Sequence, residues 1–301
     1  MDVSRRRRPG SRKQVMRNFI SYLSMVFVGA TSCINTINVP ESDQRIYYEA
    51  AIGTNTKSYG SLNETYPPDV PFNVWAYSDS DIVIGGEEAK YIEGIWMTEK
   101  EHLWPSSAQA LDFYAFSPAG SPAGITKETG VYFKGFDINS HADFLCATPV
   151  LRAVKPKADA PVCMIFQTPL CEVEFNVYTS SEEKTSIWID SIELLDYAQE
   201  GDYSQMPIET WSGLRNVVDI TFFEGHLDLT YIPQIIGSST LMIPQRLKPV
   251  IHYSYTIDGS ESIINRTEVV DMTNLPPAAS GKKRIYTIKV TEDVVTVQSP
   301  I

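Results

Sequence analysis

The chain has few of the groups on which most enzyme chemistry depends. Its 301 residues include 4 histidines and 4 cysteines. His102, His141, His226 and His252 are scattered. His141-Ala142-Asp143 and His226-Leu227-Asp228 are local pairs with no third ligand and no HExxH. No GxSxG or phosphate loop is present, and Asp79-Ser80-Asp81 with Glu87-Glu88 lacks the spacing of a calcium loop. These absences argue against an enzyme and against a bound cofactor or metal. Positive charge is also scarce, with 25 Lys and Arg against 37 Asp and Glu and a net charge of -12. That balance argues against nucleic acid as a partner. Helical periodicity is nearly absent, and no apolar run reaches the roughly 20 residues of a membrane-spanning helix.

The longest apolar run, Phe19 to Ala30, is interrupted only by Ser21 and Ser24 and follows Arg5 to Arg8, Arg12, Lys13 and Arg17. It reads as the core of an export signal. The small residues Gly29-Ala30-Thr31-Ser32 before Cys33 have the texture of a bacterial lipoprotein signal. Residues 1-32 are therefore expected to be a lipoprotein signal peptide and Cys33 the lipidated first residue of the mature chain. At about 0.8 kcal/mol per buried methylene, two or three acyl chains would anchor it to a membrane durably. An ordinary secretory signal with Cys33 as a plain thiol is the alternative, and Met16 competes with Met1 as the start. Loss of the signal leaves 18 basic and 36 acidic residues, a charge of -18.

Period-two alternation runs through the rest. Ile46, Tyr48, Ala50 and Ile52 share one face of an early strand. Val173, Phe175 and Val177 do the same, as do Ile251, Tyr253, Tyr255 and Ile257, and Tyr286, Ile288 and Val290. Ser186 to Leu194 slips phase at Asp190-Ser191, which predicts a bulge. The polar, proline-bounded stretch Lys155 to Pro161 predicts a linker between two strand-rich halves, 33-154 and 162-301. Cys146, Cys163 and Cys171 read as buried thiols, and a Cys163–Cys171 disulfide across a hairpin stays open.

Several segments, in order, resemble the fimbrillin family, the pilus subunits and accessory lipoproteins of Bacteroidetes-type bacteria. They are the lipobox, the strand Ile46 to Ile52, Phe72-Asn73-Val74-Trp75-Ala76-Tyr77, Trp104-Pro105, Leu111 to Pro118, Phe166 to Val177, Leu241 to Gln245 and Gly281 to Thr287. Gln167 stands where many members carry a histidine, and acidic residues after Cys33 begin only at Glu41.

The resemblance implies an all-β chain of two tandem transthyretin-like Greek-key β-sandwiches. It also implies a structural or adhesive role in a cell-surface fimbria: stalk, anchor or tip. Its partners would be other pilus subunits through strand addition, the outer membrane through the lipid, and a host or bacterial surface ligand. Family pilins are cleaved by a trypsin-like protease and polymerise when a strand of one subunit fills the groove vacated in the next. Here Arg45 and Lys57 are the candidate cleavage positions, and Ile46, Tyr48, Ala50 and Ile52 line the candidate exchangeable strand. Burying that face contributes on the order of 6 kcal/mol, less than the cost of ordering the strand, so ladder hydrogen bonds must supply the balance. A glycan-binding surface lipoprotein is the alternative, and it would use an exposed tryptophan such as Trp96 or Trp104 to stack against a sugar.

Overall fold

A computed structural model describes residues 45–53, 64–79, 81–106, 108–156, 160–181, 184–258 and 260–298. In chain order the first strands are β1 (Tyr48–Ile52), β2 (Glu64–Thr65), β3 (Phe72–Ser78), β4 (Asp81–Ile92), β5 (Ile95–Thr98) and β6 (Ala110–Ser117). Next come β7 (Ala123–Thr126), β8 (Gly130–Asp137), the single-turn helix α1 (Ile138–His141), β9 (Leu145–Ala147), β10 (Val150–Val154) and β11 (Val162–Gln167). The remainder is β12 (Cys171–Thr179), β13 (Thr185–Ser204), β14 (Thr210–Asp228), β15 (Gln234–Met242), β16 (Pro249–Ile257), β17 (Ile264–Val269), β18 (Lys283–Val290) and β19 (Val295–Gln298). The fold is thus nearly all-β, and the alternating segments of the sequence lie on strands β1, β12, β13, β16 and β18. The phase slip in β13 is a register break between Ile189 and Ser191 against both neighbours, as the sequence predicts.

The first sheet runs β10-β6-β3-β4-β5-β1-β11-β9, and β9 also pairs with β6, so the hydrogen-bonded path closes on itself. Its interior is filled by Tyr48, Phe72, Val74, Trp96, Leu111, Phe113, Met164 and Phe166. β6 is buried along its entire length because its two faces serve different cores. Leu111, Phe113 and Ala115 point into the closed sheet, while Tyr114 and Phe116 join a second cluster with Phe133, Phe136, Phe144 and Tyr203. A strand with two buried faces reads as a continuous apolar run, and Ala110 to Ser117 does.

A four-stranded sheet, β15-β12-β18-β19, and a six-stranded sheet, β17-β16-β13-β8-β7 with β14 on β13, make up the rest. Phe175, Ile189, Ile192, Ile251, Tyr253 and Tyr286 from the two sheets form their common core.

The expected division at 155–161 is corrected by strand pairing. β11, assigned from the sequence to the second half, lies inside the first sheet, parallel to β1 over five residue pairs from Tyr48↔Val162 to Ile52↔Phe166. The Lys155 to Pro161 stretch joins two strands of one sheet, and the crossing to the next sheet falls at 168–170. Proline and lysine mark a surface loop whether it separates domains or not, so composition could not distinguish the two. The halves also share a sheet. β13 pairs with β16 from Thr185 to Leu194 and then with β8 from Glu200 to Ser204. The β13–β14 hairpin thereby carries Tyr203 and Trp211 against Phe136 and Phe144 of the first half.

Candidate functional site

β1 is built to be buried. Ile46, Tyr48 and Ala50 enter the first core and Ile52 packs at its margin. Tyr47 and Ala51, on the opposite face, are buried too. The Tyr48 ring meets Phe72 at 6.0 Å and Phe113 at 6.3 Å, both edge-on. The backbone is held on both sides. Tyr47 O accepts from Val162 N at 2.8 Å, Gly53 N donates to Phe166 O at 2.8 Å, and Ile46 N donates to His102 O at 2.7 Å. Ala51 and Ile52 pair with β2, and Tyr48 faces Trp96 of β5. The segment thus fills a groove of the first core and is paired on both sides, so it is not an edge strand. The closing partner, β11, comes from more than a hundred residues downstream, and no local pattern announces such a pairing.

Arg45 sits at the mouth of the groove, bridged to Leu103 and 2.8 Å from the Glu101 carboxylate. Both side chains are about half exposed, so the pair contributes about 0–1 kcal/mol. Lys57 and Cys33 lie outside the described residues.

His102 and Glu87 were not singled out by sequence as parts of this groove. His102 is buried, its Nε2 is 2.8 Å from both Glu87 oxygens, and its carbonyl anchors the start of β1. A lone histidine beside Trp104-Pro105 carries no signal for that role. Burial first, and the Glu87 charge second, push the Tyr48 phenol well above its ordinary range. Its hydroxyl and the Trp104 Nε1 are both buried with no hydrogen-bond partner among the described residues. Tyr66, which follows β2, bonds to Ser117 and is pushed up to about 12 by burial.

The other expectations resolve as follows. Trp96 and Trp104 are 4% and 5% exposed, so neither offers a stacking platform. Cys171 is a buried thiol, pushed up to about 12 by desolvation, and forms no bridge to Cys163. The two residues stand on β11 and β12, which belong to different sheets and form no hairpin. Among the described residues no three His, Cys, Asp or Glu side chains are placed to hold a metal. No described helix is long and apolar enough to cross a membrane.

Fold and site together define a multi-sheet β protein organised around a buried N-terminal strand. The family model described as fimbrillin-like matches residues 69–301, and the chain belongs to that family. The fold is similar to that of a fimbrial protein from Bacteroides vulgatus, with 12% identity and a TM-score of 0.57 over 86% of this chain and 98% of that one. It is also similar to a candidate cell adhesion protein from Bacteroides uniformis, with 15% identity and a TM-score of 0.50 over 86% and 98%. No curated protein matches the chain in sequence.

Proposed function

We propose that this protein is a structural or adhesive component of a cell-surface pilus, exported as a lipoprotein through Cys33 and assembled by β-strand addition. Membership of the fimbrillin-like family supports the pilus role and a non-enzymatic one. The observation that carries the assembly mechanism is β1 itself. It is a short N-terminal strand that completes a closed sheet, so its departure would leave a groove between β11 on one side and β2 and β5 on the other. Phe72 and Phe113 would be uncovered there, and an incoming strand would recover both the apolar contact and the ladder. The finer architecture belongs to the same proposal: two transthyretin-like Greek-key sandwiches in tandem. The partners are other subunits, the outer membrane through the lipid, and a surface ligand of host or bacterium.

Cleavage position distinguishes productive from idle processing. A cut after Arg45 leaves residues 46–52 on the body, whereas a cut after Lys57 frees them. Limited trypsin treatment should therefore produce ladders in the intact chain and none in Lys57→Gln. A peptide copying Ile46 to Ile52 should suppress them. If the cleaved protein stays monomeric at high concentration, the stalk role fails and a tip or anchor role takes its place.

A further inference from the structure

Long free sheet edges invite unwanted pairing, and two of the edges in this molecule carry the usual protection. β14 is broken by four register shifts along β13, with Gly213 and Asn216 at φ 57° and 53°. β10 is broken between Val150 and Ala153, with Arg152 at φ 57°. Bulges of this kind twist an edge and interrupt its ladder. β17 has no such break. Among the described residues it ends the six-stranded sheet and pairs with β16 alone, in unbroken register from Tyr255↔Ile264 to Val250↔Val269.

The side chains on β17 limit which strand could be added to it. Asn265, Arg266, Thr267 and Val269 are exposed and Glu268 is half-buried. Arg266 and Glu268, two apart, project to the same side of the sheet. The Arg266 guanidinium rests against the Tyr255 hydroxyl, and no ion pair joins Arg266 or Glu268 to any other described residue. Edge charges repel most strands, because residues directly opposite each other stand about 4.5–5.5 Å apart and like charges there are destabilising. A second copy of the same strand escapes this exclusion. An inverted copy of the same strand, paired antiparallel about Thr267, sets Arg266 opposite Glu268 of the second copy, and by symmetry does so twice. A slip of two residues either way sets Arg266 against Arg266 or Glu268 against Glu268, and a slip of one turns the side chains to opposite faces. Register and partner are thus specified together.

We propose that β17 is a self-recognition edge, through which two copies of this chain associate side by side about a two-fold axis at Thr267, joining their six-stranded sheets. The contact is isologous, so it closes at two copies. It is independent of strand exchange at β1. Where copies are held in series along a fibre, a weak lateral contact of this kind gains strength by repetition.

The test is sedimentation equilibrium of the purified full chain, carried to millimolar concentration. The formal charge of -12 opposes association, so about 0.15 M salt is used, at which charges more than about 8 Å apart are largely screened. The wild type should show a concentration-dependent dimer. Arg266→Glu and Glu268→Arg should each weaken it about tenfold, since each turns two attractive pairs into repulsive ones. Mixing the two variants should restore association, because the mixed pair again sets acid against base at both positions. That restoration also excludes misfolding as the cause of either loss. The neutral variant Glu268→Gln should fall between wild type and Glu268→Arg. A wild type that stays monomeric throughout, a dimer indifferent to both reversals, or a mixture no stronger than its components would each overturn the proposal.

Discussion

Ending the chain at Pro156, where composition alone would divide it, should leave the first half unable to fold. That cut removes β11, and with it Val162, Met164 and Phe166, which are 7%, 0% and 0% exposed in the first core. At about 1.5–3 kcal/mol for each buried side chain the loss is about 5–9 kcal/mol, before counting the five-pair ladder to β1 or the contacts to β9. A whole domain is stable by only about 5–15 kcal/mol. Circular dichroism of the fragment should therefore show no cooperative thermal transition. Extension to Leu170 restores the closed ladder, and β-type ellipticity should rise with it. In the intact chain, Phe166→Ala removes a ring that contacts Tyr66 at 4.7 Å and Phe72 at 5.1 Å. Denaturant unfolding should report a loss of about 3–5 kcal/mol. A fragment ending at Pro156 with a sharp transition, or a Phe166→Ala loss under about 1 kcal/mol, would refute the assignment of β11 to the first half.

Three further outcomes are expected. Tyr48→Phe removes a buried hydroxyl that has no hydrogen-bond partner among the described residues and should stabilise the fold by up to about 1–3 kcal/mol, raising the thermal midpoint; a fall would mean that the hydroxyl is bonded. The Gly135 N–H, with Lys134 and Arg215 behind it, holds the Asp202 carboxyl below its usual range. Its contribution is present above the unfolded value of about 3.9 and is lost as pH falls through the lower folded value. Wild type should therefore lose more stability on acidification below about pH 4 than Asp202→Asn does, and parallel midpoint curves would exclude this account. Cys33→Ala should move the protein from the membrane to the soluble fraction, and an unacylated N-terminus on the wild type, seen by mass spectrometry, would rule out the anchor.

What the sequence by itself determined was local. Alternation placed β1, β12, β16 and β18, because a strand with one buried face must repeat every two residues. The interrupted alternation at Asp190-Ser191 located the bulge in β13 from side-chain phase alone. Burial of Ile46, Tyr48 and Ala50 was legible for the same reason, whereas the thiol state of Cys171 was not, because only the structure places Cys163 and Cys171 on different sheets. The ordered set of weak motifs pointed to the family that matches residues 69–301. Tertiary structure alone decided the pairings. Nothing near Val162 to Gln167 states that it lies parallel to Ile46 to Ile52, since parallel partners are brought together by the path of the chain and not by a turn. The roles of His102 and Glu87 depend on that pairing, because a groove has no walls until its strands meet. The same holds for β13, whose twenty residues change partner from β16 to β8 midway. Apolar pattern shows that a residue is buried; the register of distant strands decides against what.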